Sequence, residues 1–136
     1  MKIFGFAGYS GITNYMGARL LVTADALRPV MAEVKSRGLV YLEDASVNMT
    51  LSPKMAQDPR LPLQRASMVI DTDPTAPAIE AALARLEKDA LKNGSAIATG
   101  SGLDVTIETV AEWAKTLQEK GILLVPVSAA YKGRPT

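Results

Sequence analysis

Two kinds of apolar pattern alternate along this chain. Short runs of consecutive apolar and small residues occur at Ser10 to Tyr15, Leu39 to Leu42, Ser67 to Ile70, Ser95 to Thr99 and Ile122 to Val127. Runs of that length, bounded by glycine, proline or acidic residues, predict strands. Between them, apolar residues recur every three or four positions, which predicts helices. Leu27, Val30, Met31 and Val34 define a helix over Asp25 to Ser36. Ile79, Leu83, Leu86 and Ala90 line one face of Pro77 to Leu91. Ile107, Val110, Ala111, Ala114 and Leu117 are the expected inward positions of Val105 to Gln118.

The punctuation agrees. Thr23 or Asp25 is placed to cap the first helix, and Pro29 lies near its first turn, where proline is tolerated. Gly38, Asn93-Gly94 and Gly121 follow the three helices as stop signals. A weak short helix is expected around Ser52 to Gln57, and "DPRLPLQRA" reads as a proline-broken connection.

Strands alternating with amphipathic helices predict an α/β fold of right-handed βαβ units on a parallel sheet. The runs "MVI" and "ILLVPV" lack period-two alternation, so both of their faces are expected to be covered. Pro126 inside the last run marks an edge, a strand end or a barrel seam. The 136 residues fit one domain over 1–136, long enough to bury roughly two-thirds of the unfolded surface.

Composition narrows the chemistry. Fifteen basic and fourteen acidic side chains are interspersed, giving a net charge of +1 with no basic stripe, so nucleic acid is not expected as a partner. No apolar stretch is long enough to span a membrane, and Met1 to Gly8 is too short for the apolar part of a leader. Cysteine is absent, which excludes disulfides and thiolate metal sites. Histidine is absent too. That removes the commonest general base at neutral pH, the commonest zinc ligand and any Ser-His-Asp arrangement. A bound metal would need an all-oxygen shell, suited to magnesium, calcium or manganese.

In parallel α/β folds ligands bind beyond the carboxyl ends of the strands. Those ends carry Asn14, Tyr15 and Arg19; Glu43 and Asp44; Asp71 and Asp73; Thr99, Ser101 and Asp104; and Ser128. Carboxylates from different strands can pair as acid and base, and Arg19 can clamp a carboxylate or phosphate. Each has an ordinary alternative. Asp44, Asp71 and Asp104 suit turns or caps, "GSG" at Gly100 to Gly102 suits a tight turn, Arg19 a surface position, and Trp113 packing at the edge of the core.

Four stretches, in order, carry a family resemblance. "SGITNYMGARLLVT" is similar to segments of the type "VGVNNHMGSRFT". "ALRPVMAEVKSRGLVYLEDAS" is similar to "RPVL…RGLxFLDS" runs. "VIDTDPTAPAIEAALARLEKDALKNGSAIATGSG" is similar to "LDNDPD…LE…A…GSAIGIGHP". "TIETVAEWAKTLQEKGILLVPVSA" is similar to "TIxALxxWLPxLExRGIxLVPVSA". Together they resemble the divergent polysaccharide deacetylases, a bacterial branch of the NodB-like deacetylases, over most of the chain.

The resemblance implies part of a distorted (β/α) barrel, its C-terminal half to two-thirds. An opening strand with paired aspartates has no counterpart in these 136 residues. It also implies a divalent metal such as zinc and removal of N-acetyl groups from envelope sugars, in the periplasm or cell envelope of a bacterium. Asp71 and Arg19 match retained positions and are the expected catalytic residues. Asn14, Tyr15, Glu43, Asp44 and Ser101 are the expected substrate contacts. Yet the family's histidines fall at Tyr15 and Ser101, and a phenol with a pKa near ~10 is a poor zinc ligand at neutral pH. No metal is therefore expected on this chain, and the hydrolase is expected to be degenerate or incomplete. The alternative is a non-catalytic sugar-binding or scaffold module. Half a barrel would leave open edges, so a homo-oligomer or a missing N-terminal half is expected.

Overall fold

The computed structural model describes residues 8–48, 50–55, 57, 58 and 60–131. The expectation for the start of the chain, through residue 7, lies outside them.

Strand β1, Gly11–Thr13, runs parallel to β2, Val40–Glu43, with Gly11 opposite Val40. The approach is so close that a Cβ on Gly11 would sit 2.5 Å from Val40 Cγ2 and 2.7 Å from the Val40 carbonyl oxygen. Only glycine fits there. On its other edge β2 pairs in parallel with β3, Leu63–Arg65, placing Tyr41 opposite Leu63 and Glu43 opposite Arg65. A second sheet pairs β4, Met68–Val69, with β5, Ala98–Thr99, again in parallel. Two hydrogen bonds bracket the break: Ala66 N donates to Glu43 O at 2.8 Å, and Ser67 N donates to Ile97 O at 2.8 Å. Among the described residues the strands do not close into a barrel.

Helices link the strands as the spacing predicts. A short α1, Ala18–Leu21, precedes α2, Ala24–Ser36; α4 spans Ala76–Asn93 and α5 spans Asp104–Thr116. Glycines 38, 94 and 121 all adopt positive φ after their helices. Thr23 is the N-cap residue of α2, but its hydroxyl donates back to Arg19 O at 2.6 Å and caps nothing ahead of it. Pro29 lies inside α2 rather than in its first turn. It is exposed, and it has no N–H to offer the carbonyl one turn earlier. The short helix α3 forms at Ser52–Met55.

Ile107 and Ala111, expected to face inward on α5, are exposed. Two strand expectations also fail. The "DPRLPLQRA" connection contains β3, drawn into the sheet by Leu63, which is buried, and by Arg65, which pairs with Glu43. Conversely, Ile122 to Val127 is not a strand: residues 122–126 have no regular structure and Val127–Ala130 forms a 3-10 turn.

The core is double. Leu21, Leu27, Met31, Val34, Leu39, Tyr41 and Leu63 pack between α2 and the first sheet. Ile70, Ile79, Ala82 and Leu83 pack beneath α4. No helix among the described residues is long and apolar enough to cross a membrane.

Candidate functional site

The parallel strands all point their carboxyl ends the same way, so the loops that follow them share one rim. After β1, Asn14 turns back onto the loop after β2. Its Nδ2 donates to Asp44 Oδ1 at 2.9 Å and its Oδ1 accepts from Asp44 N at 3.0 Å. Nδ2 also donates to Met16 O at 3.0 Å. Asp44 Oδ1 further accepts from Ser46 N at 2.9 Å and Ser46 Oγ at 2.6 Å. Burial raises the Asp44 pKa, but the hydrogen bonds from Ser46 and Asn14 and the nearby Arg65 charge outweigh it, and the carboxyl sits below its ordinary value. Met16 and Ala45, beside the two partners, both have positive φ, 57° and 64°. Non-glycine residues rarely hold that conformation, so the paired loops are locally strained.

The series continues across the second sheet. Thr99 Oγ1 donates to Asp44 O at 2.6 Å, tying the end of β5 to the end of β2. Next to it, Asp71 Oδ2 accepts from Ser101 N at 2.7 Å and from Thr106 Oγ1 at 2.8 Å. Asp71 is 7% exposed, and its second oxygen, Oδ1, is buried without a hydrogen-bond partner. Native proteins rarely leave such an atom unpaired, and it costs about 1–3 kcal/mol where it occurs. Gly100 holds this corner tight: a Cβ there would come within 3.1 to 3.3 Å of Ile70 and Thr106 side-chain carbons.

Asn14, Asp44, Asp71 and Ser101 are thus brought to one rim, Ser101 through its backbone N–H. The remaining expected contacts are placed otherwise. Glu43 is fully buried. Arg65 Nε donates to its Oε1 at 2.9 Å, and Thr50 Oγ1 donates to the carboxylate at 2.9 to 3.0 Å. Arg65 also donates to Val47 O at 2.9 Å. That network seals Glu43 under the loop after β2, out of a ligand's reach. Tyr15 and Arg19 are exposed, and among the described residues no side-chain hydrogen bond or ion pair joins either to the rim. Asp104 lies in the first turn of α5, where its charge favours the helix N-terminus. Thr106 was not singled out from the sequence; a hydroxyl in a helix's first turn, facing a strand-end aspartate, is the signal it carried.

The metal implied by the resemblance does not fit these residues. Among the described residues no group of three or more histidine, cysteine, aspartate or glutamate side chains is placed to hold an ion. Among the described residues Asp71 Oδ1 is the one buried side-chain oxygen without a hydrogen-bond partner. A groove of about 580 Å³ between α4 and α5 is lined by residues including Glu80, Glu87, Glu108, Glu112, Trp113 and Lys120 and by none of the rim residues.

Fold and site together define a parallel α/β domain with a polar, partly strained rim at its strand ends. The family model for divergent polysaccharide deacetylase matches residues 3–131, and the chain belongs to that family. No curated protein matches the chain. Among solved structures it is similar to the uncharacterized protein ATU2773 from Agrobacterium tumefaciens C58, at 36% identity and a TM-score of 0.84. That match covers 90% of this chain and 50% of the Agrobacterium chain, so this chain spans about half the length of its structural relative.

Proposed function

We propose that this chain binds N-acetylated sugar at the strand-end rim, as the ligand-holding part of a deacetylase-like protein. The observation that carries the reading is Asp71: a buried carboxylate at the rim, fixed through one oxygen by Ser101 N and Thr106 Oγ1, with the other buried and unpaired. A sugar hydroxyl or acetamido N–H is the neutral donor such an oxygen suits. Asn14 and Asp44 spend their bonds on each other and shape the rim rather than reach out from it. Family membership supports carbohydrate as the ligand class. Hydrolysis is assigned to no residue of this chain, because the metal that the family resemblance implies finds no donor set here.

Calorimetric titration with N-acetylglucosamine oligomers tests this. Asp71→Asn, which keeps the shape and places an amide at the rim, is expected to weaken binding about tenfold, the equivalent of one lost hydrogen bond of about 1.4 kcal/mol. Equal affinity in the variant, or no heat with any glycan, overturns the reading. Stoichiometric zinc together with acetate release from acetylated chitooligosaccharides, both lost in Asp71→Asn, would instead establish catalysis on this chain.

A further inference from the structure

The loop after β1 holds its aromatic residue away from the protein. Tyr15 is 88% exposed and Met16, beside it, 65% exposed, although both side chains are large. The backbone beneath them is fixed. Asn14 Nδ2 donates to Met16 O at 3.0 Å and to Asp44 Oδ1 at 2.9 Å, while Asn14 Oδ1 accepts from Asp44 N at 3.0 Å. Met16 and Gly17 both have positive φ, 57° and 87°, so the chain turns sharply into α1 directly after the tyrosine. Strain of the kind seen at Met16 persists only where the surroundings hold it, and it gathers at ligand sites. A tyrosine on a fixed turn loses little freedom when a ligand arrives, and its ring offers a flat apolar face with a wet hydroxyl.

Asp44 relates this loop to the Asp71 corner. Besides its bonds with Asn14, its carbonyl accepts from Thr99 Oγ1, two residues before Ser101, whose N–H holds Asp71. The ends of β2 and β5 thus separate Tyr15 from Asp71, and at about 4.8 Å per strand that gap is wider than one sugar ring. We propose that Tyr15 is an aromatic platform for a further unit of a glycan chain. Its ring stacks on the apolar C–H face of a pyranose one or more units along from the unit held at Asp71. The platform makes the rim selective for oligosaccharide over the single sugar. This rests on the sugar-binding reading above and adds to it the element that senses chain length.

NMR shift titration of the full chain with N-acetylglucosamine and with its linear tetramer tests this. The unaltered chain is expected to bind the tetramer more tightly than the single sugar. Tyr15→Ala is expected to weaken tetramer binding about fivefold, the worth of one ring-face contact, and to leave single-sugar affinity unchanged. Tyr15→Phe, which keeps the ring, should bind the tetramer within about twofold of the unaltered chain. Because Tyr15 is exposed, neither change should move the urea midpoint. Tetramer affinity that survives Tyr15→Ala but falls in Asp71→Asn overturns the platform and leaves the Asp71 reading standing. Equal loss for both ligands in Tyr15→Ala also overturns it, as does a loss in Tyr15→Phe as large as in Tyr15→Ala. If the single sugar gives no shift, the tetramer comparison decides alone. No shift with either ligand in the unaltered chain overturns the platform and the sugar reading together.

Discussion

Beneath α2, Leu21, Leu27 and Val34 have no exposed surface, and partly buried neighbours from Tyr9 to Leu61 close around them. Beneath α4, only Ile79 is equally sealed among the cluster of Ile70, Ile79, Ala82 and Leu83, and the apolar run that should cover the far side lies in solvent. Both regions follow the same strand–helix pattern. They differ in how many sides of the sheet have a neighbour. The first sheet has strands on both edges of β2; the second ends at β5. An apolar pattern therefore specifies what a segment will bury if given a partner, and the partner decides whether it does.

The contrast can be broken by substitution. The largest effect is expected for Leu27→Ala, which should cost about 3–4 kcal/mol in urea denaturation because it empties a sealed site. Leu124→Ala should change stability by less than about 0.5 kcal/mol. A similar loss for both would mean that the second region is covered after all. Next comes the buried ion pair of the first region: Glu43→Gln leaves Arg65 without its charge partner and should cost about 3 kcal/mol.

Alkaline titration probes the link between the C-terminal segment and the first sheet. Burial, with the charges of Glu43 and Asp44, pushes the Tyr41 phenol up to about 12, and burial alone pushes Tyr131 up to about 12. A raised folded-state pKa means the unfolded chain loses its protons first. Stability is thus complete below pH ~10 and falls between there and about 12, by roughly 2 kcal/mol for each phenol. Tyr131→Phe should remove its share of that slope, which chemical denaturation at stepped pH would show. The smallest effect is expected for the exposed pair of the second region. Glu87→Gln loses the attraction of Lys120 but can still accept from Trp113 Nε1, and should cost under about 1 kcal/mol, shrinking with salt.

Helices were the most legible part of the chain, since Leu27, Met31 and Val34 or Ile79 and Leu83 announce a buried face by spacing alone. The strand Leu63–Arg65 was hidden by the prolines around it and by two polar side chains. Its place depends on Glu43, twenty-two residues earlier, which no local window contains. Ile122 to Val127 was legible as a strand sequence but its partner is not in the described fold. At the rim, alternation of strands and helices was enough to bring Asn14, Asp44, Asp71 and Ser101 to one edge. Which of them are consumed by each other, as Asn14 and Asp44 are, depends on rotamers and loop conformation that spacing does not encode. The burial of Glu43 followed from its partner Arg65, whose strand was itself read as a connection.

Tyr131 Oη donates to Tyr41 O at 2.7 Å, across ninety residues of sequence. The strands and helix of the first sheet lie within residues 11–65 and can associate as soon as those have been synthesised. The buried carbonyl of Tyr41 must wait for almost the whole described chain to be made before it meets that donor. Proteolysis that removes Tyr131 would therefore leave the Tyr41 carbonyl without this donor while sparing every strand of the first sheet.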